Sequence, residues 1–216
     1  MSSLIREYIR ELLTESVDPK MMELIDRLEK NGWKIKLLKD RAILFNPAGL
    51  GNPDVKVNQG TIGWATPDEV EQENYGWCHS ANMVQSSYAA GGFGPILYDV
   101  AIEASGDAGL IPDRHSVSTD ATGVWNYYMR NRSDVQVKQL DNKENKLTPR
   151  DYDNCDQRVS LSDVGAGMGS ANSFLDDTEE DNYEKWPESS LSKVYYKYGT
   201  PVIDELERRR LLVRRK

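Results

Sequence analysis

The chain has 216 residues, 38% of them apolar and 29% charged, and its 27 Lys and Arg against 35 Asp and Glu leave a formal net charge of −8. That length suits one domain with appendages, and 5 Trp and 11 Tyr supply enough bulk for a real core. The acidic balance argues against a general nucleic-acid binder, two Cys cannot build a disulfide framework, and no apolar run reaches the roughly 18–20 residues that cross a bilayer.

Leu4, Ile5, Tyr8, Ile9, Leu12 and Leu13 recur at helical spacing, with Arg6, Glu7, Arg10, Glu11 and Glu15 between them and Ser3 as a natural N-cap. The pattern predicts an amphipathic helix over residues 1–16. Such a helix ending in Leu13-Thr14-Glu15 resembles the capsid-targeting propeptide of proteins packaged inside large tailed phages, in which a prohead protease cuts after Leu/Ile-x-Glu. The resemblance implies removal of residues 1–15, a new end at Ser16, and a location in the bacterial host cytoplasm or inside a phage head. A helix packed on its own domain accounts for the same pattern, and Ile5-Arg6-Glu7, Ile9-Arg10-Glu11 and Ile203-Asp204-Glu205 also match the cleavage motif.

Residues 18–31 form a second helical candidate, apolar at Met21, Met22, Leu24, Ile25 and Leu28 and closed by Asn31-Gly32. Trp33–Leu38 and Ala42–Phe45 then read as a hairpin across Lys39-Asp40-Arg41, and residues 46–60 as loop. Thr61–Ala65 is a short strand candidate, Pro67–Asn74 an acidic loop or helical turn, and Trp77–Tyr88 a longer strand with Ala81, Met83 and Val84 toward the core. That strand runs into Ala89-Ala90-Gly91-Gly92-Phe93-Gly94 and then into a helix from Pro95, with Ile96, Leu97, Val100, Ala101 and Ala104 as one apolar stripe. A glycine turn opening a helix favours an anion, because unpaired N–H groups and the helix dipole point at it. Neither a Walker loop nor a dinucleotide fingerprint is present, since the Lys-Ser/Thr pair and the G-x-G-x-x-G spacing are absent.

The run Val84-x-Ser86-x-Tyr88-Ala89-Ala90-Gly91-Gly92-Phe93-Gly94 resembles the central motif of the GNAT superfamily of acyl-CoA N-acyltransferases, fitting at Val84, Tyr88, Gly92 and Gly94 and departing at Ala89, where the family has Arg or Gln. Gly109-Leu110-Ile111-Pro112 looks like the family's fifth strand, Ser118-Thr119-Asp120-Ala121 opens the helix after it, and Asp134–Leu140 fits a sixth strand. The resemblance spans residues 33 to 140. It implies an α/β fold, a single domain with a mixed, mostly antiparallel sheet flanked by helices. Residues 1–16 are then a removable amphipathic helix, 17–140 the acyltransferase-like domain, and 141–216 an irregular extension.

By the same resemblance, acetyl-CoA is the co-substrate, held in a cleft where two neighbouring parallel strands splay apart. Its pantetheine arm would pair with backbone around Asn82, Met83 and Val84, and its pyrophosphate would sit on the N–H groups of Ala90, Gly91, Gly92, Phe93 and Gly94, with Ala89 and Ser118 as further cofactor-binding positions. An unknown amine would attack the thioester directly, with the oxyanion on backbone N–H near Met83. Trp125 holds the position of the family's usual Tyr acid, so Tyr128 one turn on is the fallback acid. His79 is the candidate base, with Glu69, Glu71 and Glu73 as alternatives. Each of these has an ordinary structural reading: core for Tyr128, a satisfied strand residue for His79, a solvated turn for the Glu run. Cys78, His79, His115 and Cys155 lack zinc spacing, and a Cys78–His115 nucleophile with Asp113 or Asp120 as orienter matches no peptidase signature. A non-catalytic virion-packaged or interaction protein on the same fold is the alternative function, favoured by Trp125 and Ala89 at two family positions.

Past Leu140 the chain turns polar, with an acidic stretch over residues 163–181 that lacks the ligand alternation of a calcium loop. Leu191–Tyr198 reads as a segment docked on the domain, and Pro201 starts a last helix apolar at Val202, Ile203, Leu206 and Leu211. Residues 201–216 carry six Arg or Lys against three Asp or Glu, net +3, which leaves −11 on the rest of the chain. The basic end complements the helix dipole, and it is also a candidate contact for capsid or packaged DNA.

Overall fold

The computed structural model describes residues 17–52, 54–65, 81–113, 117–142, 154–155 and 188–214. The candidate propeptide at 1–16 and the acidic stretch at 163–181 lie outside them. Helix α1 (Pro19–Lys30) starts at Asp18, whose Oδ1 accepts from the backbone N–H of Lys20 and Met21 at 2.9 and 3.3 Å. It buries Met21, Leu24, Ile25 and Leu28, the periodic apolar positions, and ends at Asn31 before Gly32 with φ +66°. Strands β1 (Lys34–Leu37) and β2 (Arg41–Phe45) form the expected hairpin, and β3 (Asn58–Ala65) and β4 (Asn82–Ala89) extend it antiparallel. A Cβ on Gly60 would lie 2.9 Å from the Tyr88 carbonyl oxygen, so glycine lets β3 and β4 approach there.

The chain turns through Ala90–Gly92 into α2 (Gly94–Ser105), then reaches β5 (Leu110–Ile111), α3 (Thr119–Asn131) and β6 (Val135–Gln139). Two short strands, β7 (Asp141–Asn142) and β8 (Asn154–Cys155), pair parallel in a small separate sheet. Strand β9 (Lys193–Lys197), helix α4 (Pro201–Arg208) and β10 (Leu212–Arg214) complete the described chain. Among the described residues the main sheet has eight strands in the order β10-β1-β2-β3-β4-β5-β9-β6, antiparallel except for β10 with β1 and β4 with β5. The protein is thus an α/β fold with a mixed, mostly antiparallel sheet. Among the described residues no helix is long and apolar enough to cross a membrane.

Two expectations need correction. The boundary at residue 140 does not separate a domain from an irregular extension, because β9 lies between β5 and β6 inside the main sheet and β10 closes its far edge. Val194 and Tyr195 are buried there, and the helix that follows buries Val202, Ile203 and Leu206. Nor does α2 carry one apolar stripe: Ala104 is exposed, whereas Ile102, Asp99 and Glu103 are buried. A helix lying across the sheet and covered by neighbouring elements has no solvated face, so its polar residues must find partners inside.

Candidate active-site cleft

Strand β4 contains a bulge. Gly63 opposes Ser86 while Trp64 opposes Val84, so Gln85 is the extra residue. On its other side β4 pairs with β5 only at Asn82–Leu110 and Met83–Ile111. There β5 ends, while β4 runs on to Ala89. Beside this stretch of β4 lies a cleft of about 270 Å³, walled by Val84 to Ser87 of β4 and Tyr98 of α2, and on the other side by Asp113, Val117, Ser118, Ala121 and Trp125. The sequence predicts α3 at the right place: Ser118 is its N-cap, its Oγ accepting from Ala121 N at 3.2 Å, and it lies in the cleft wall.

At one end of β4 lies the glycine turn. Gly91 and Gly92 take left-handed backbone (φ +61° and +75°), where side chains carry a steric cost. The turn delivers the chain to the N-terminus of α2. Phe93 N donates to Ala90 O at 3.3 Å, so that N–H is spent within the turn, and the Phe93 side chain is buried, its ring 5.2 Å from the ring of Trp33. Arg27 of α1 donates from Nη2 to the Gly91 carbonyl at 2.8 Å and stacks its guanidinium 4.7 Å from the Phe93 ring centroid. It brings a positive charge to the turn from a different element than position 89, where Ala89 is extended and uncharged. Met83 points into a separate small apolar cluster with Ala81, Ile111, Leu140 and Val194, while Val84 belongs to the main core and the cleft wall.

Tyr128 does not line the cleft. It is fully buried, and its hydroxyl hydrogen is shared between Pro95 O at 2.8 Å and Asp99 Oδ2 at 2.9 Å. Burial and the Asp99 charge hold its pKa well above that of an ordinary tyrosine. The helix explains the difference: Trp125 and Tyr128 are three residues apart, so Trp125 meets the cleft and Tyr128 meets α2. As the fallback acid, Tyr128 is therefore corrected to a residue of the interior. The phenol in the cleft wall is Tyr98, whose Oη lies 2.8 Å from Ser87 Oγ and whose ring meets Trp125 edge-on at 5.0 Å. Burial raises the Tyr98 pKa, Ser87 opposes the rise, and the charge of Asp113 adds to it. His79, Glu69, Glu71, Glu73, Cys78 and His115 lie outside the described residues.

Sequence reasoning missed a buried ionic cluster beneath the cleft. Lys197 Nζ lies 2.6 Å from both Asp99 Oδ1 and Glu103 Oε1, and Arg132 is 2.7 Å from Asp99 and 2.6 Å from Asp134. Glu103 also accepts the backbone N–H of Val202 at 3.0 Å and Ile203 at 2.8 Å, capping α4 from a helix about 100 residues earlier. Burial pushes the Glu103 carboxyl up to about 7, with Lys197 pulling down and Asp99 pushing up. Burial alone would lower the Lys197 pKa, but the two carboxylates outweigh it and hold the ammonium charged above the ordinary lysine value. Two acidic residues at i and i+4 on an otherwise apolar helix were the available signal.

Among the described residues of the basic end, Arg208, Arg209 and Arg214 form internal pairs. Arg209 binds Asp26, Glu29 and Glu205 at 2.6, 2.8 and 2.6 Å, Arg208 binds Glu205, and Arg214 binds Glu207. Among the described residues no group of three His, Cys, Asp or Glu is placed to hold a metal ion. No protein-family model, curated protein or solved structure matches the chain.

Proposed function

We propose that the protein is an acyl-CoA-dependent N-acyltransferase of GNAT type, moving an acetyl group from acetyl-CoA to an amine. The observation that carries this reading is the end of the β4–β5 ladder at Met83 and Ile111, with a cleft beside the stretch of β4 that runs on toward the glycine turn. In this reading the acyl donor's arm lies along β4, whose edge toward β5 has no ladder partner from Val84 onward among the described residues. The bulge at Gln85 turns the local backbone out of the regular ladder, so the oxyanion contact falls to the Val84–Gln85 backbone rather than to Met83. The diphosphate sits at the turn of residues 90–94, with Arg27 supplying charge that Ala89 lacks. The amine attacks the thioester carbonyl, the C–N bond forms as the C–S bond breaks, and the ammonium proton leaves to a base.

Equilibrium titration with acetyl-CoA tests the reading. Saturable binding that is lost in Gly92→Glu, where the new carboxylate meets the diphosphate, is the expected result. Binding to both proteins alike, or to neither at millimolar concentration, sinks it. A non-catalytic interaction role is the second reading, and the burial of Tyr128 with its hydroxyl engaged favours it. Thiol release from acetyl-CoA in the presence of an amine panel separates the two. The phage location rests on residues 1–15, and mass spectrometry of virions for a peptide beginning at Ser16 tests it.

A further inference from the structure

The cleft wall contains a polar pair that the acyl-transfer reading does not yet use. Tyr98 is 4% exposed, and its hydroxyl meets Ser87 Oγ at 2.8 Å where α2 packs against β4. Two hydroxyls joined by one hydrogen bond retain one O–H hydrogen and several lone pairs. Ser87 is exposed while Tyr98 is buried, so the remaining hydroxyl hydrogen stands where water or a ligand in the cleft can take it. Val84, Val117, Ala121 and Trp125 give the cleft apolar wall on either side of the pair, and Gln85, Ser86, Asp113 and Ser118 make the rest of it polar. The indole of Trp125, packed edge-on at 5.0 Å, fixes the phenol ring, so the pair is set before any ligand arrives. Burial and the charge of Asp113 keep that phenol protonated, a donor through the neutral range.

We infer that Tyr98 and Ser87 form a donor-binding pair, reading an amide carbonyl in the arm of the acyl donor from the wall of the cleft. The inference rests on the acyltransferase reading and adds to it the residues that select an amide-bearing arm over a plain alkyl thioester. A slender chain with apolar links and spaced amides matches a cleft of mixed apolar and polar wall that has a stretch of β4 backbone without a β5 partner and one hydroxyl pair. The pair acts as a unit, since removing either hydroxyl leaves the other misdirected.

Calorimetric titration of the full chain with acetyl-CoA and with S-acetylpantetheine, which has the arm without the nucleotide, tests this directly. Tyr98→Phe and Ser87→Ala should each weaken both ligands about five- to tenfold, the loss of one hydrogen bond. The double variant should lose no more than the worse single. Ser87 is exposed on β4, so Ser87→Ala keeps the test alive should Tyr98→Phe fold poorly. Unchanged affinity for S-acetylpantetheine in the folded variants overturns the inference, as does an additive loss in the double. Wild-type protein that binds acetyl-CoA but not S-acetylpantetheine overturns the inference and leaves the acyltransferase reading standing. Wild-type protein that binds neither removes both.

Discussion

Replacing Lys197 by Met tests the buried ionic cluster at its centre. Met is close to Lys in volume, so the change removes charge while filling the same space. The Nζ it removes is 1% exposed and sits 2.6 Å from Asp99, 2.6 Å from Glu103 and 3.4 Å from Asp134. Two short charge-assisted hydrogen bonds go, each worth about 1.5–3 kcal/mol, and three carboxylates are left against the single guanidinium of Arg132. Breaking a buried pair from one side costs about 3–5 kcal/mol by the same reasoning, roughly a fifth or more of the stability of a typical domain. Urea unfolding at pH 7 should show that loss, and the melting temperature should fall by about 10 °C. Adding Glu103→Gln to Lys197→Met should cost less than the two losses summed, because without Lys197 the Glu103 carboxyl, already pushed up to about 7, stays protonated and Gln replaces a neutral group. A Lys197→Met protein within about 1 kcal/mol of wild type, or a double variant that adds the two losses in full, would refute the account of the cluster.

Glu103→Gln alone has a pH signature whose sign follows from the raised carboxyl. Its folded pKa of about 7 stands above the ordinary 4.5, so the folded protein holds a proton that the unfolded chain releases between these values. That contribution is fully present below about pH 4.5 and lost as pH rises through 7. The stability gap between wild type and Glu103→Gln should therefore be widest at about pH 4 and below, and shrink by about 3 kcal/mol toward pH 8. A gap that widens with rising pH contradicts it. At Gly109, with φ +70°, a Cβ would lie 2.6 Å from both Tyr196 and Val194, so Gly109→Ala should cost more than about 2 kcal/mol in urea unfolding. Gly123 lies in α3 with nothing within 4 Å of a built Cβ, and Gly123→Ala should gain about 0.5–1 kcal/mol. Equal effects at the two glycines would show that backbone conformation and space are not what separates them.

What could be read from the sequence was local. Asp18 and Ser118 announce their helices, Asn31-Gly32 ends α1, and the strand–glycine–helix run at 84–105 stands where periodicity puts it. The unread parts depend on partners distant along the chain. The bulge at Gln85 exists only relative to β3, since nothing in Val84-Gln85-Ser86 marks which residue lacks an opposite. Strand β9 alternates weakly, and only its pairing with both β5 and β6 makes it interior. Lys197 reads as a solvated strand residue until it meets Asp99 and Glu103, nearly 100 positions away. The choice between Trp125 and Tyr128 turned on helix rotation. Sixty degrees around α3 separates the cleft from the ionic cluster.

The central claim is that the cleft beside β4, beyond the end of β5, holds an acyl donor. A crystal structure grown with saturating acetyl-CoA tests it most directly. The account predicts the arm along β4 in that cleft, against Tyr98 and Ser87, with the diphosphate at residues 90–94 beside Arg27. A donor bound elsewhere, or a cleft left empty at saturation, would contradict it.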